Sequence, residues 1–507
     1  MKLKRSIATA LGAPALLAAS MLVAPATAVA GPGSCDSRTN STSLTLLECV
    51  TLEGVRSHQK ALQDIADANG GTRAAGTVGY DQSVAYVVGK MTKAGYSVTL
   101  NPFPFVYQRL AELRRIAPNP ATLETNAFVG TGFGTATGGV TPVDIQLGLG
   151  NTSTSGCEAA DFAGFPAGRI ALIQRGTCAF AIKALNAQAA GAIAVIIFNQ
   201  GNTTAPDRND VINGTLAPDS AQIPVVAASY ADGATLVQQA QVGLTMSVST
   251  FAPQNVTQYN VIAESLQGDA NNVVMVGAHL DSVQRGPGIN DNGSGSAAIL
   301  EVAIQMAKVK PRNKLRFAWW GGEEAGLVGS TAYVSGLSDA QKDQIALYLN
   351  FDMVGSPNHV FFIYDGDNSD GVGSPAGPPG SGAIEKVFES YFTQRNIPFK
   401  GTDFTGRSDY GPFIAVGIPA GGLFTGAEGL KTAEEQSIWG GTAGAQYDTC
   451  YHQACDTFAN VNTFALDVNA DTIAYAVLTY AASNQSGRAK RAPFKYDPEF
   501  WGPSSRK

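Results

Sequence analysis

The chain has 507 residues, of which 44% are hydrophobic and 15% charged, with a formal net charge of -7. That length allows two or more domains, and that composition supplies a sizeable core and excludes wholesale disorder. No long basic stripe crosses the body of the chain, which excludes nucleic acid as a partner on electrostatic grounds.

The first thirty residues read as a targeting segment. Lys2, Lys4 and Arg5 precede an apolar stretch to about Val23, and Ala28-Val29-Ala30 places small residues where a signal peptidase reads. Gly12, Pro14 and Pro25 interrupt the apolar run, so a cleaved signal (1–30) and secretion are expected, not a membrane anchor. No other stretch is long and apolar enough to span a bilayer. Export puts Cys35, Cys49, Cys157, Cys178, Cys450 and Cys455 in an oxidising compartment. They fall into three local pairs, so 35–49, 157–178 and 450–455 is the expected pairing among the fifteen that six cysteines allow, with buried thiols as the alternative.

In chain order, residues 43–68 and 77–94 repeat at helical spacing, the first run broken near Gly54 and stopped by Gly70-Gly71. Residues 96–107 read as a Pro-marked edge strand. Gly, Thr and Ala then dominate. Short strand-like runs at 143–147, 169–173, 193–198, 222–228 and 243–248, with one helical run at 180–190, indicate a small α+β domain. From Tyr259 apolar strands alternate with helices: strands 260–265, 273–278, 315–320, 345–351, 360–364 and 420–424, and helices 293–308, 327–337, 382–394 and 463–482. This predicts an α/β three-layer αβα sandwich with a mainly parallel, mixed sheet. The early helices have no sheet of their own to cover. The expected division is therefore 31–130 and 255–485 for the main domain, 131–254 for an insertion, and 486–507 for a basic tail.

The chemistry-bearing residues gather at the ends of apolar runs. His279, Asp281 and Asp291 follow the strand VVMVGA in a Gly-, Pro- and Asn-rich loop. Glu323 and Glu324 follow LRFAWWG, Asp352 follows ALYLNF, and His452 lies in CYHQAC. Open α/β sheets place their ligands beyond the carboxyl ends of strands. Two imidazoles and three carboxylates can hold two divalent ions, and this donor set without free thiolate favours zinc. A fourth carboxylate that is not a ligand can take a proton from water.

With AHLDSV, GINDNGSGSAA, LRFAWWGGEEAGLVGS, YLNFDMVGSPN, GRSDYGPF, GGLFTGA and CYHQACD in order, the sequence resembles the M28 family of zinc aminopeptidases, most of all the secreted Streptomyces-type enzymes. The resemblance implies that His279 and Asp352 bind one zinc, that Glu324 and His452 bind the other, and that Asp291 bridges them. It implies Glu323 as general base, Tyr451 as donor to the oxyanion, and Asp281 as the group behind His279. Arg407 would contact substrate. Met353, Gly406 and Phe424 would line the pocket for the first side chain, and the 450–455 disulfide would lock the loop carrying Tyr451 and His452. A calcium held by Asp467 and Asp471 also belongs to the relatives' pattern. Here the third acidic position falls on Cys49, so a merely solvated helix face is the competing expectation. The stretch RGTCAFAIKALNAQAAGAIAVIIFNQ resembles the protease-associated (PA) domain, for which a lid or substrate-channelling role is expected and no chemistry.

The expected activity is removal of N-terminal residues from peptides and proteins, preferring large apolar ones such as leucine, by a monomer. A carboxypeptidase of the same family, a glutaminyl-cyclase-like enzyme and a non-catalytic receptor-like binding protein are the alternatives.

Overall fold

The computed structural model describes residues 35, 37–216, 221–371 and 376–483. The expected signal peptide and basic tail lie outside the described residues. Among those described, fifteen strands form two sheets, of eight and seven strands, and no helix is long and apolar enough to cross a membrane.

The chain enters through helices Ser43–Leu47, Leu52–Ala68 and Val78–Ala94. The first break falls at 48–51, not at Gly54, because Thr51 caps the second helix by accepting the Gly54 N–H at 3.1 Å. Gly54 instead permits close packing, since a Cβ there would stand 2.6 Å from the Glu301 carboxyl carbon. The third helix stops at Gly95, whose φ of 92° suits a residue without a Cβ. Strand β1 (Ser97–Tyr107) then forms one edge of the larger sheet, where Pro102 and Pro104 are tolerated.

The next seven strands make the smaller sheet: β2 (Glu112–Ala117), β3 (Ala121–Leu123), β4 (Gly134–Val143), β5 (Ile170–Gln174), β6 (Ala194–Phe198), β7 (Val225–Ala228) and β8 (Thr245–Thr250). Their order is β3-β2-β8-β4-β5-β6-β7, with β4 to β7 parallel. Alternate residues of β5 and β6 feed two cores. Ala171, Ile173, Val195 and Ile197 pack under helix Phe180–Ala189, while Ile170, Leu172, Ala194 and Ile196 pack under helix Tyr230–Ala240. Three details differ from the sequence reading. The sheet reaches back before residue 131, because the charged run ELRRIA pairs with β8, Glu112 opposite Ser249. The strand expected at 143–147 ends at Val143. Helix Tyr230–Ala240, capped by Ser229, was masked by the Asp and Gly in its first turn.

The remaining strands return to the larger sheet: β9 (Gln254–Glu264), β10 (Asp269–His279), β11 (Asn313–Trp320), β12 (Ile345–Phe351), β13 (Phe362–Tyr364), β14 (Lys400–Thr402) and β15 (Ala420–Phe424). The order is β1-β9-β11-β10-β12-β15-β13-β14, parallel from β11 to β15 and antiparallel at β1 and β9. Helices Leu52–Ala68, Val78–Ala94, Gly293–Met306, Ser381–Gln394 and Thr463–Ala482 share one core. Helices Val328–Gly336 and Tyr410–Ala415 cover the other face. This is the expected three-layer sandwich. Strand β10 lies between β11 and β12, so the order reverses at β10 and opens a crevice beyond the strand ends. All six cysteines pair as expected, with Cα–Cα distances of 5.5, 5.8 and 5.3 Å.

Candidate active site

Three neighbouring parallel strands deliver side chains to that crevice. Strand β10 ends at His279, β11 ends shortly before Glu323, and β12 ends just before Asp352. His279 is in register with Trp320, and Gly277 with Asn350, so the three ends are level. Asp291 arrives on the loop that leads into helix Gly293–Met306, and Asn292 caps that helix. His452 arrives on the loop closed by Cys450–Cys455, with its φ at 59°.

All five expected ligands converge. His279 Nε2 lies 3.2 Å from Asp291 Oδ1 and 3.3 Å from Asp352 Oδ1. His452 Nε2 lies 3.1 Å from Asp291 Oδ2 and 3.0 Å from Glu324 Oε2. The donor atoms of each trio stand within 4.8 Å of one another, and the two trios share Asp291 through its two oxygens. Glu323 Oε2 sits farther off, 3.9 Å from His279 Nε2, although Glu323, His279 and Glu324 also offer donor atoms within 4.8 Å of one another.

The donors fit a pair of cations. His452 Nε2 and Glu324 Oε1 are buried and make no hydrogen bond, although His452 Nε2 has carboxylate oxygens 3.0 and 3.1 Å away. Close approach without hydrogen-bond alignment is how ligands surround a shared ion. Imidazole and carboxylate donors with every cysteine tied in a disulfide match zinc better than softer metals.

The charges are crowded. Burial, reinforced by Asp352 and Glu324 and opposed by His279, holds the Glu323 carboxyl well above the usual range. Burial also lifts Glu324, with Asp291 adding to it. Burial works against a charge on His452, but Asp291 and Glu324 outweigh it and push its pKa up to about 10. For Asp291 the two histidines overcome burial and hold the carboxyl low.

A second layer of contacts holds these side chains. His279 Nδ1 donates to the Asp281 backbone carbonyl at 3.2 Å, which leaves Nε2 facing the cluster. The Asp281 carboxylate is 3.6 Å from that nitrogen, too far for a hydrogen bond, and accepts the Glu323 N–H at 3.3 Å instead. Asp281 therefore stands behind His279, and its hydrogen bond to the ring comes from the backbone carbonyl. Ser408 Oγ donates to Asp352 Oδ2 at 2.6 Å. Asp456 accepts the N–H groups of Asn290 and Asp291 at 2.8 and 2.9 Å. The buried Arg73 guanidinium donates to the carbonyls of Leu280, Pro287 and Gly288, clamping the loop between His279 and Asp291. Ser408, Asp456 and Arg73 were missed by the sequence reading. The first two lie inside motifs it singled out, GRSDYGPF and CYHQACD, while Arg73 stands far away along the chain with no local signal.

Beside the cluster lies a cavity of about 320 Å³. Asp291, Glu323 and Asp352 form its polar side, and Met353, Phe362, Tyr364, Phe424 and Tyr447 its apolar side. Tyr451 also lines it, stacked on the His452 ring at 3.8 Å between centroids. Arg407 Nη1 donates to Glu428 Oε1 at 2.6 Å, and Nη2 reaches the Tyr451 hydroxyl at 3.4 Å. Gly406 does not line the cavity, contrary to expectation. Its neighbours Thr405 and Arg407 do, while its own N–H donates to the Tyr410 hydroxyl at 3.1 Å. Asp467 and Asp471 lie on helix Thr463–Ala482, away from the cluster, and Asp471 accepts from Tyr391 at 3.3 Å. Among the described residues no third acidic, His or Cys donor joins them, and Cys49 is bound to Cys35.

Comparisons with known proteins identify the family. The model of peptidase family M28 matches residues 260–477, and that of the PA domain matches 140–236. An aminopeptidase of Pseudomonas aeruginosa is 51% identical over 496 residues, covering 94% of this chain and 91% of that protein. Leucine aminopeptidase 2 of Trichophyton rubrum is 46% identical over 343 residues, 67% of each chain. The solved aminopeptidase from Aneurinibacillus sp. strain AM-1 superposes with a TM-score of 0.53 at 27% identity, covering 90% of this chain and 99% of that one. Strand order, converging side chains and sequence identity over nearly the whole length lead to one conclusion: the chain belongs to peptidase family M28 and carries a PA domain.

Proposed function

We propose that this protein is a secreted, two-zinc aminopeptidase that removes N-terminal residues from peptides and proteins and prefers large apolar residues such as leucine. One observation carries the reading. Asp291 turns one carboxylate oxygen to each imidazole, at 3.2 and 3.1 Å, so that two donor trios meet at a single side chain.

His279 and Asp352 would hold one ion, Glu324 and His452 the other, and Asp291 would serve both. Zinc held there supplies Lewis acidity, which polarises the scissile carbonyl and makes water easier to deprotonate. Glu323, outside both trios, takes the proton from the attacking water at its carboxylate and releases it to the leaving amine. The Tyr451 hydroxyl donates to the carbonyl oxygen as negative charge gathers on it. Arg407, 3.4 Å from that hydroxyl, orients it. Met353 and Phe424 surround the first side chain, which supports an apolar preference.

The acidity of the site favours a substrate ammonium over a carboxylate. Arg407 already pairs with Glu428, which counts against a carboxypeptidase. Three disulfides support export. In this reading the inserted unit runs from β2 to β8 and the rest of the fold is the peptidase.

The test sets leucine p-nitroanilide beside its N-acetylated form, with metal analysis and chelation. The free amine is expected to be cleaved, the blocked one spared, and activity lost on chelation and restored by zinc. Equal rates on both substrates would eliminate the aminopeptidase reading.

A further inference from the structure

We propose that a second cavity, of about 370 Å³ on the other side of the acid–imidazole cluster, receives the second residue of the substrate, the first of the leaving peptide. The assignment rests on the aminopeptidase reading above. The first cavity meets the cluster through Asp291, Glu323 and Asp352, and the second through Asp281, Glu324 and His452. The two share no lining residue. A peptide with its first side chain in the aromatic cavity and its scissile bond over the cluster carries its next residue into the second cavity.

The lining selects the chemistry. Ala74, Phe105, Leu110 and Val283 make an apolar wall, and Leu110 is 37% exposed there. Arg285 and Glu124, 3.4 Å apart, lie at the polar end. The wall away from the cluster therefore takes an apolar side chain, with charge at the Arg285–Glu124 end and at the cluster itself.

Part of this wall comes from the segments that lead into and through the smaller sheet. Leu110 lies between β1 and β2, and Glu124 between β3 and β4. Both are pinned to the loop that follows Asp281. Gln284 Oε1 accepts the Leu110 N–H at 3.1 Å, and its Nε2 donates to the Gln108 carbonyl at 2.8 Å. Arg285 Nη2 donates to Asn126 Oδ1 at 2.9 Å. The connection into the insertion, through Leu110, and the insertion itself, through Glu124, thus contribute a specificity surface, not a separate activity.

The experiment compares leucinamide, which has no second side chain, with leucyl-phenylalaninamide and leucyl-lysinamide, using Leu110→Asp and Leu110→Ala. In Leu110→Asp, kcat/KM for leucyl-phenylalaninamide relative to leucinamide is expected to fall about tenfold, and leucyl-lysinamide to gain on leucyl-phenylalaninamide. Leu110→Ala, which adds no charge, should lower the first ratio by a smaller factor. Ratios that stay within about twofold of wild type in both variants overturn the subsite, whatever happens to overall rates. Failure of the wild-type protein to cleave leucinamide at all would instead sink the aminopeptidase reading.

Discussion

Both sheets have a parallel centre, and in both the polar residues gather at the carboxyl ends of the parallel strands. In the smaller sheet β5 ends in Gln174, and Asn199 and Gln200 follow β6. Gln174 Nε2 donates to the Gln200 carbonyl at 2.8 Å, and Asn199 Nδ2 donates to the carbonyls of Asp207 and Asp210 at 3.1 and 2.8 Å. Gln200 Nε2 donates to the Asn151 carbonyl at 3.2 Å. At the corresponding place in the larger sheet stand His279, Glu323, Glu324 and Asp352. An amide both donates and accepts, so a group of amides can close a network with itself. Ionised carboxylates only accept, so a buried group of them needs cations or imidazolium for balance. Parallel strand ends therefore yield a self-satisfied structural end in one sheet and a cluster of charged donors in the other.

Changes at the charged end should cost the most. Glu323→Gln is expected to lower kcat on leucine p-nitroanilide about a thousandfold while metal content stays unchanged. Loss of metal from that variant would place Glu323 among the ligands and blur the division drawn here. Tyr451→Phe removes a donor to developing charge, and kcat should fall about a hundredfold with KM little altered. Asp456→Asn turns an NH2 group toward the N–H of Asn290 or Asp291, and a chelator titration should show metal held about tenfold more weakly.

The amide end should respond in stability alone. Replacing Cys157 and Cys178 by serine is expected to destabilise the smaller sheet by about 2–3 kcal/mol, read by limited proteolysis, with leucinamide turnover preserved. The smallest effect concerns Lys183, which is fully buried and donates to the Ser155 carbonyl. Burial pulls its pKa from 10.5 down to about 8. Between those values the unfolded chain binds more protons than the folded one, so stability should rise with pH across that window. Lys183→Met should flatten the rise in melting temperature, and an unchanged slope would assign it to other groups.

Much of this was legible before any coordinates. The bounds of β12, β15 and helix Thr463–Ala482 coincide with the apolar runs read from the sequence. Strand β12 is buried throughout, β15 nearly so, and the helix along most of its length, so their apolar runs stand out against the polar or turn residues around them. The charged strand β2 carried no such mark, because its place depends on pairing with β8, far along the chain. Gly54 was read as a breaker because its neighbour across the helix packing, Glu301, is invisible in a local window.

Sequence alone determined most of the buried elements, the three cysteine pairs and the strand-end loops in which the candidate site residues stand. Periodicity, capping and burial act over a few residues and leave their trace there. Tertiary structure decided that Asp291 faces both imidazoles, that Asp281 acts through its carbonyl, that Arg73 clamps the loop, and that a second cavity opens behind His452. Each of these depends on the strand order β11-β10-β12 and on contacts between distant segments, and no short stretch of sequence encodes either.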